Sequence, residues 1–265
     1  MIDHEARARA AELLAQAEQS REPIQPLVET FPGLDVVDAY RIQLLGIGRR
    51  TQAGAVVRGH KVGLSSPVMQ RMMGVDEPDY GHLLDDMFLD EGKPIRVADY
   101  CYPRIEVEVG FVLGRELPAA GCTEQDVLEA TSAVVPSIEL IDSRISNWTI
   151  TIADTIADNA SSAGVLLGDA RVPPDELDLT GIDAVLHRIG PDGEEVVTEG
   201  RSDAVLGNPA TAVAWLANKV AQFGVRLEAG HVVLPGSCTR AVDVRPGDSF
   251  RASFTGLGSV TATFV

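Results

Sequence analysis

With 265 residues, 45% of them apolar and 23% charged, the chain has enough material for a well-packed body and lacks the composition of a disordered or fibrous protein. Its formal charge of −17 sets nucleic acid aside as a partner, because such binding relies on Lys and Arg neutralising phosphates. The same charge opposes anionic ligands, so a carboxylate-bearing substrate would need a local cation, either a metal or a positioned Lys or Arg.

Residues Asp3 to Ser20 are rich in Ala and Glu, with Leu13, Leu14 and Ala17 on a modest apolar face behind an Asp3 cap, which predicts a helix. No basic segment followed by an apolar stretch opens the chain, and no apolar run approaches the length of a membrane span, so a cytoplasmic protein with no membrane contact is expected. Beyond Pro23 and Pro32, the spacing of Val37, Tyr40, Leu44 and Ile47 predicts a second helix over Asp35 to Arg50. The segment GHKVGLSS is strand-like. Pro67 then opens a helical turn that Gly74 can end, with Met69, Met72 and Met73 expected in the core. The organisation read from these signals is a mainly helical segment over residues 1–70 and a β-rich domain over 71–265.

Strand signals follow in RIEVEVGFVL, AVVPSIELI, the pair IDAVLHRI and EEVVTEG across Pro191-Asp192-Gly193, HVVLPG, and SFRASF with SVTATF around Gly256 and Gly258. One helix interrupts them, from Pro209 behind an Asn208 cap to Phe223, with Gly224 past its end. Strands do not alternate regularly with helices, which favours an α+β architecture with a rolled or sandwiched sheet over a doubly wound one. GxGxxG, Walker A, GxSxG and HExxH patterns are absent, as is any CxxC pair among Cys101, Cys122 and Cys238, which read as buried free thiols.

The chemistry concentrates in carboxylates. Alternation along Arg104 to Phe111 puts Ile105, Val107, Val109 and Phe111 on one strand face and Glu106 and Glu108 on the other. Residues two apart on a strand are about 6.5–7 Å apart at the backbone, a gap that two Glu arms can close around one cation. The pair alone fits an ordinary solvated strand face better than a ligand set. Glu139 lies in the apolar run VVPSIELI, where a carboxylate must be protonated, paired or metal-bound; nearby Asp142 and Arg144 offer an ion-pair explanation for that segment. Three carboxylates without His or Cys suit Mg²⁺ or Mn²⁺ better than Zn²⁺. On local grounds Lys61 reads as an ordinary solvated lysine, and Asp79 is as easily a turn residue. The segment 157–164 and the run Pro235-Gly236-Ser237-Cys238-Thr239 have the small and hydroxylated residues of pocket loops, or of plain turns.

Taken in order, REPIQPL, VVDAYRIQ, GHKVGLSS, GVDEPDYGHL, PRIEVEVGFVL, PSIELIDSRI, ADNASSAGVLLG, GRSDAVLGNPATAVAWLANK and LPGSCTRAVDVRPGD run through most of the chain. They resemble the hydratase and decarboxylase branch of the fumarylacetoacetate hydrolase superfamily, within it the 2-oxopent-4-enoate (vinylpyruvate) hydratase family, and are most similar to the steroid- and biphenyl-type meta-cleavage hydratases. The resemblance implies that family's C-terminal-domain fold, a mixed β-roll or β-sandwich. It also implies Mg²⁺ or Mn²⁺ on Glu106, Glu108 and Glu139, with Lys61 and Asp79 as the catalytic pair and Ser161 and Thr239 as substrate-binding residues. The implied reaction adds water to a 2-hydroxy-2,4-dienoate, 2-hydroxypenta-2,4-dienoate or 2-hydroxyhexa-2,4-dienoate, to give a 4-hydroxy-2-oxo acid. The metal would hold the enolate and supply the positive charge that the composition lacks, and a depressed Lys61 pKa beside the dication would follow. Homo-oligomers, pentamers or decamers, are implied as well, with an association with the pathway aldolase or decarboxylase in some members. The nearest alternative is 2-oxo-3-hexenedioate (4-oxalocrotonate) decarboxylase. C–C bond hydrolysis, which needs a lid motif not found here, and a non-catalytic metal-binding protein are more distant.

Overall fold

The computed structural model describes the backbone of residues 1–265 and every side chain except that of Met72. The chain opens with helices α1 (His4–Ser20), α2 (Leu27–Thr30) and α3 (Val36–Gln52), followed by β1 (Val57–Gly63), α4 (Pro67–Met73), β2 (Asp79–Leu84) and β3 (Phe88–Leu89). The long strands β4 (Arg104–Leu113) and β5 (Thr131–Ile141) flank α5 (Glu124–Ala130). Next come α6 (Ile152–Ala157), β6 (Ser162–Leu167), the hairpin β7 (Asp183–Gly190) and β8 (Gly193–Arg201), and α7 (Pro209–Val220). Strands β9 (Val232–Leu234), β10 (Val242–Asp243), β11 (Ser249–Phe254) and β12 (Gly258–Thr263) complete the chain.

Helix boundaries follow the capping chemistry. Asp3 accepts the Ala6 amide at 2.8 Å, Asp35 accepts that of Asp38 at 2.9 Å, and Asn208 accepts that of Ala210 at 3.0 Å ahead of Pro209. The expected helix to Phe223 is α-helical to Val220 and then tightens into a 3-10 turn that ends at Gly224 in the left-handed region.

Eight strands form a mixed sheet in the order β2-β1-β9-β4-β5-β6-β3, with β10 paired to β4; a second sheet has the order β12-β11-β7-β8. β1 thus lies within the first seventy residues and is hydrogen bonded into the main sheet between β2 and β9. The large sheet curls. Asn159, just ahead of β6, hydrogen bonds to the backbone of His82 in β2, bringing the sheet's first strand to the start of its sixth. Ile105, Val107, Val109 and Phe111 of β4 are fully buried in the core with Phe250, Ala252, Val260 and Ala262 of the second sheet, in keeping with the expected α+β architecture of a rolled or sandwiched sheet.

Some expectations fail. Met69 is 44% exposed and Val68 57%, because α4 is a short excursion between β1 and β2; Met73 is half-buried, and the Met72 side chain lies outside the described residues. Cys122 and Cys238 are buried free thiols, but Cys101 is only half-buried. Among the described residues, no helix is long and apolar enough to cross a membrane.

Candidate active site

The inner face of the curled sheet collects the charged residues. In the antiparallel register of β4 and β5, Glu106 stands opposite Glu139, while Glu108 faces Ser137 on one side and bridges Ser237 on the other. One carboxylate oxygen from each of Glu106, Glu108 and Glu139 lies within 4.8 Å of the others. The solvated-face alternative for the Glu106 and Glu108 pair therefore fails. Glu108 and Glu139 are 0% exposed and Glu106 is half-buried, because the face opposite the apolar one is roofed by the curl of the sheet and by the 235–237 loop.

Lys61 and Asp79 arrive from the sheet's other end. The Lys61 ammonium lies 3.4 Å from Glu139 Oε2 and donates to the Ala160 carbonyl at 3.0 Å. Asp79, at the start of β2, pairs in register with Gly63; a Cβ at Gly63 would sit 2.2 Å from Asp79 Oδ1 and 3.5 Å from Lys61 Nζ, so only glycine leaves room for the two to approach. Both residues are buried, which removes the solvated-lysine and turn readings. Arg144 does not serve Glu139. It pairs with Asp158, while Asp142 accepts the amides of Cys101 and Tyr102.

Electrostatics here are lopsided, since four carboxylates surround one ammonium. Burial alone would lower the Lys61 pKa, but Glu139, Glu106, Asp79 and Glu108 together outweigh it and hold the ammonium above its usual range. Each acid shares a single cation, so burial prevails. It pushes Glu139 up to about 7 and Glu108 well above the carboxylate range, and raises Glu106 and Asp79 against the pull of Lys61. The raised Lys61 belongs to the protein with its carboxylates uncompensated. The expected depression requires a dication to neutralise those carboxylates first.

Oε1 of Glu108 and Oε1 of Glu139 accept no hydrogen bond within the chain, and Oε2 of Glu139 has the Lys61 ammonium at 3.4 Å. Buried oxygen-only donors that converge from adjacent strands and share one ammonium fit a hard divalent cation, because an under-compensated buried carboxylate is costly. The other oxygen of Glu108 accepts the Gly236 amide at 2.7 Å. Gly236 is at φ +120°, and a Cβ there would fall 1.8 Å from Ser65 Oγ, so this residue must be glycine.

The remaining sequence candidates sit at the periphery. Ser161 is buried, with its hydroxyl 3.3 Å from that of Thr155. The Thr239 hydroxyl donates to the Arg240 carbonyl at 3.2 Å, and its methyl faces Gly200 of β8. Gly236 and Ser237 on one side, and Asn159 and Ala160 on the other, lie in the two segments with the composition of pocket loops, but nothing local in the sequence marks their individual roles. A cavity of about 620 Å³ between α1, α3 and the 157–159 segment includes none of the three glutamates, Lys61 or Asp79. Carboxylate convergence, rather than void volume, marks the candidate site.

Comparison with known proteins agrees with the geometry. The profile described as fumarylacetoacetate (FAA) hydrolase C-terminal matches residues 66–265. The chain belongs to the fumarylacetoacetate hydrolase family. Within that family it is 44% identical to a 2-keto-4-pentenoate hydratase of Paraburkholderia xenovorans, over 97% of this chain and 94% of that protein. It is 43% identical to a 2-oxo-hept-4-ene-1,7-dioate hydratase of Escherichia coli over the full length of both. A solved structure of 4-oxalocrotonate decarboxylase from Pseudomonas putida G7, complexed with magnesium and adipate, superposes with a TM-score of 0.94 at 36% identity, covering 100% of this chain and 99% of that one.

On the reverse face of β1 and β2, the His60 and His82 rings lie tilted against each other with centroids 4.8 Å apart, both buried. Burial, reinforced by the neighbouring His231, pushes His82 down to about 4 and His60 well below its ordinary range. The unfolded chain therefore binds more protons below about pH 6.5, so the stability these imidazoles contribute is complete above that pH and is lost as pH falls toward about 4. The buried carboxylates shift the other way, so the His contribution is isolated by difference. His82→Gln is expected to show a shallower fall in Tm than the wild type between pH 6.5 and 4.5 in thermal melts.

Proposed function

We propose that the protein is a metal-dependent hydro-lyase that adds water to a 2-hydroxy-2,4-dienoate, giving a 4-hydroxy-2-oxo acid. The reading is carried by near-full-length identity of 43–44% to hydratases. It is supported by the three-glutamate cluster with Lys61 and Asp79 beside it. Glu106, Glu108 and Glu139 would hold Mg²⁺ or Mn²⁺, which when bound supplies a Lewis acid for negative charge developing on the substrate's 2-oxygen.

The protein's own residues supply the proton chemistry. An ammonium has three donors. Lys61 directs one to the Ala160 carbonyl and one toward Glu139, leaving one for the substrate. Asp79 Oδ1 is buried and accepts no hydrogen bond within the chain, so it is the atom we assign to give and take the proton at the distal carbon and the incoming water. Ser161 and Thr239 are assigned to the substrate's surroundings on the family pattern.

The substrates we favour are 2-hydroxypenta-2,4-dienoate and 2-hydroxyhexa-2,4-dienoate. The similarity to a hydratase named for a dioate makes the dicarboxylic analogue the necessary comparison. The likeness to 4-oxalocrotonate decarboxylase supports decarboxylation of 2-oxo-3-hexenedioate as a second reading. The protein stripped with chelator should be inactive. On adding Mg²⁺ or Mn²⁺ it should consume the dienoate absorbance with water added at C4. Release of CO₂ from 2-oxo-3-hexenedioate without hydration of either dienoate would replace the hydratase reading with the decarboxylase one. We further propose a cytoplasmic homo-oligomer, a pentamer or decamer, with association with the pathway aldolase or decarboxylase as a further step; sedimentation of the protein alone and with those enzymes tests each.

A further inference from the structure

Three consecutive non-glycine residues, Asn159, Ala160 and Ser161, take left-handed backbone conformations, with φ of 55°, 50° and 58°. L-residues avoid this region because Cβ crowds the following carbonyl, and such outliers persist only where the surroundings over-determine them. Ala160 and Ser161 are buried, while Asn159 lines the cavity of about 620 Å³, so one end of the turn borders open space. Hydrogen bonds secure that end. The Asn159 side chain clamps β2 twice, accepting the His82 amide at 2.8 Å and donating to the His82 carbonyl at 2.9 Å. Arg144, buried, pairs with the Asp158 carboxylate and donates to the Asp158 carbonyl at 2.6 Å and the Ser162 carbonyl at 3.3 Å, bracketing the turn. The Ser161 carbonyl accepts the Asp142 amide at 2.8 Å, tying the turn to the end of β5.

The conformation has one consequence at the site. It points the Ala160 carbonyl at the Lys61 ammonium, 3.0 Å away, on the strand that also carries His60, directly paired with His82. We propose that Asn159, backed by the Arg144–Asp158 pair, is a positioning residue: it holds the 159–161 turn so that the Ala160 carbonyl fixes Lys61 between Glu139 and Asp79. The same side chain thus registers β2, which carries Asp79, against the turn that aims Lys61. The proposal deepens the hydratase reading and rests on it for its catalytic consequence, but the aim of Lys61 is measurable without any substrate.

Asn159→Ala, Asn159→Gly and Asn159→Asp are compared in the full-length, metal-loaded protein. Glycine accepts the left-handed backbone but lacks the clamp, whereas aspartate retains the acceptor for the His82 amide. Labelling of Lys61 by an amine-acylating reagent, read by peptide mass spectrometry, should accelerate at least tenfold in the Ala and Gly variants and less in the Asp variant. Mn²⁺ affinity should stay within about twofold of wild type in all three. With the dienoate, kcat should fall at least tenfold in the Ala and Gly variants at little-changed KM and be partly restored in the Asp variant. Unchanged Lys61 labelling in folded Asn159→Gly overturns the proposal, as does loss of Mn²⁺ affinity in parallel with kcat, which marks a merely structural role. Should Asn159→Ala fail to fold, the Gly and Asp variants decide. Faster labelling in a protein whose wild type hydrates no dienoate upholds the positioning role and rejects the hydratase reading.

Discussion

Replacing Lys61 with methionine is expected to lower kcat for dienoate hydration by about 10²–10⁴-fold, the span usual for loss of a proton-transferring group. Methionine keeps the length and apolar stem of lysine, so the change removes the ammonium with little repacking. Without metal, the variant leaves the buried Glu108, Glu139 and Asp79 and the half-buried Glu106 around no cation, whereas in the wild type their combined field holds Lys61 charged. Breaking a buried ion pair from one side costs about 3–5 kcal/mol, which for a chain of this size lowers Tm on the order of 10 °C. Saturating Mg²⁺ should restore most of that Tm, because a dication replaces the missing charge, and should restore none of the turnover. Melting curves and steady-state rates on the same samples check both halves. Full activity in Lys61→Met would remove Lys61 from the mechanism, and a Tm indifferent to Mg²⁺ would separate the cation from the carboxylates.

Glu139→Gln has the second large effect, with opposite signs in the two states of the protein. Burial pushes the Glu139 carboxyl up to about 7 against the pull of Lys61. A carboxyl raised in the folded state contributes stability that is complete below its unfolded value near 4.5 and lost as pH rises through about 7. At pH 8 without metal, then, the neutral amide should melt at or above the wild-type temperature. With saturating Mn²⁺ the order should reverse, because the wild type gains stability from ligand binding while the variant, short one anionic oxygen ligand, gains little. Mn²⁺ affinity by calorimetry should fall by about 100-fold or more, at least the scale of losing a residue that merely supports a metal ligand. A variant that binds Mn²⁺ as the wild type does would show that Glu139 is not a ligand.

The sequence carried some features of this site and hid others for identifiable reasons. Alternation along β4 put Glu106 and Glu108 on one face and the apolar residues on the other, as found, because side-chain direction on a strand is local. Whether that face meets solvent depends on the curl of the sheet and on Gly236 donating to Glu108 from residues far along the chain, neither of which is a local property. Glu139 was legible because a carboxylate between Ile138 and Leu140 is anomalous on its own. Its partner was not: Arg144 and Asp142 are nearer in sequence, but β1 brings Lys61 to Glu139 across the sheet. The segment 157–164 reads as a loop or turn, but its left-handed conformation at 159–161 is not legible, since such turns are ordinarily read from glycine and this one is held by Asn159 and Arg144 instead. The exposure of Met69 is not legible from sequence, because an apolar side chain on a seven-residue helix carries no information about what, if anything, lies against it.

The central claim, that Glu106, Glu108 and Glu139 form one cation site, is tested most directly by diffraction from crystals of the protein grown with Mn²⁺, using anomalous scattering to place the metal. The account predicts a single strong peak within about 2.0–2.4 Å of one oxygen from each of the three glutamates, with the Lys61 ammonium outside the coordination shell. A peak elsewhere, or none at the glutamates at saturating Mn²⁺, would contradict it.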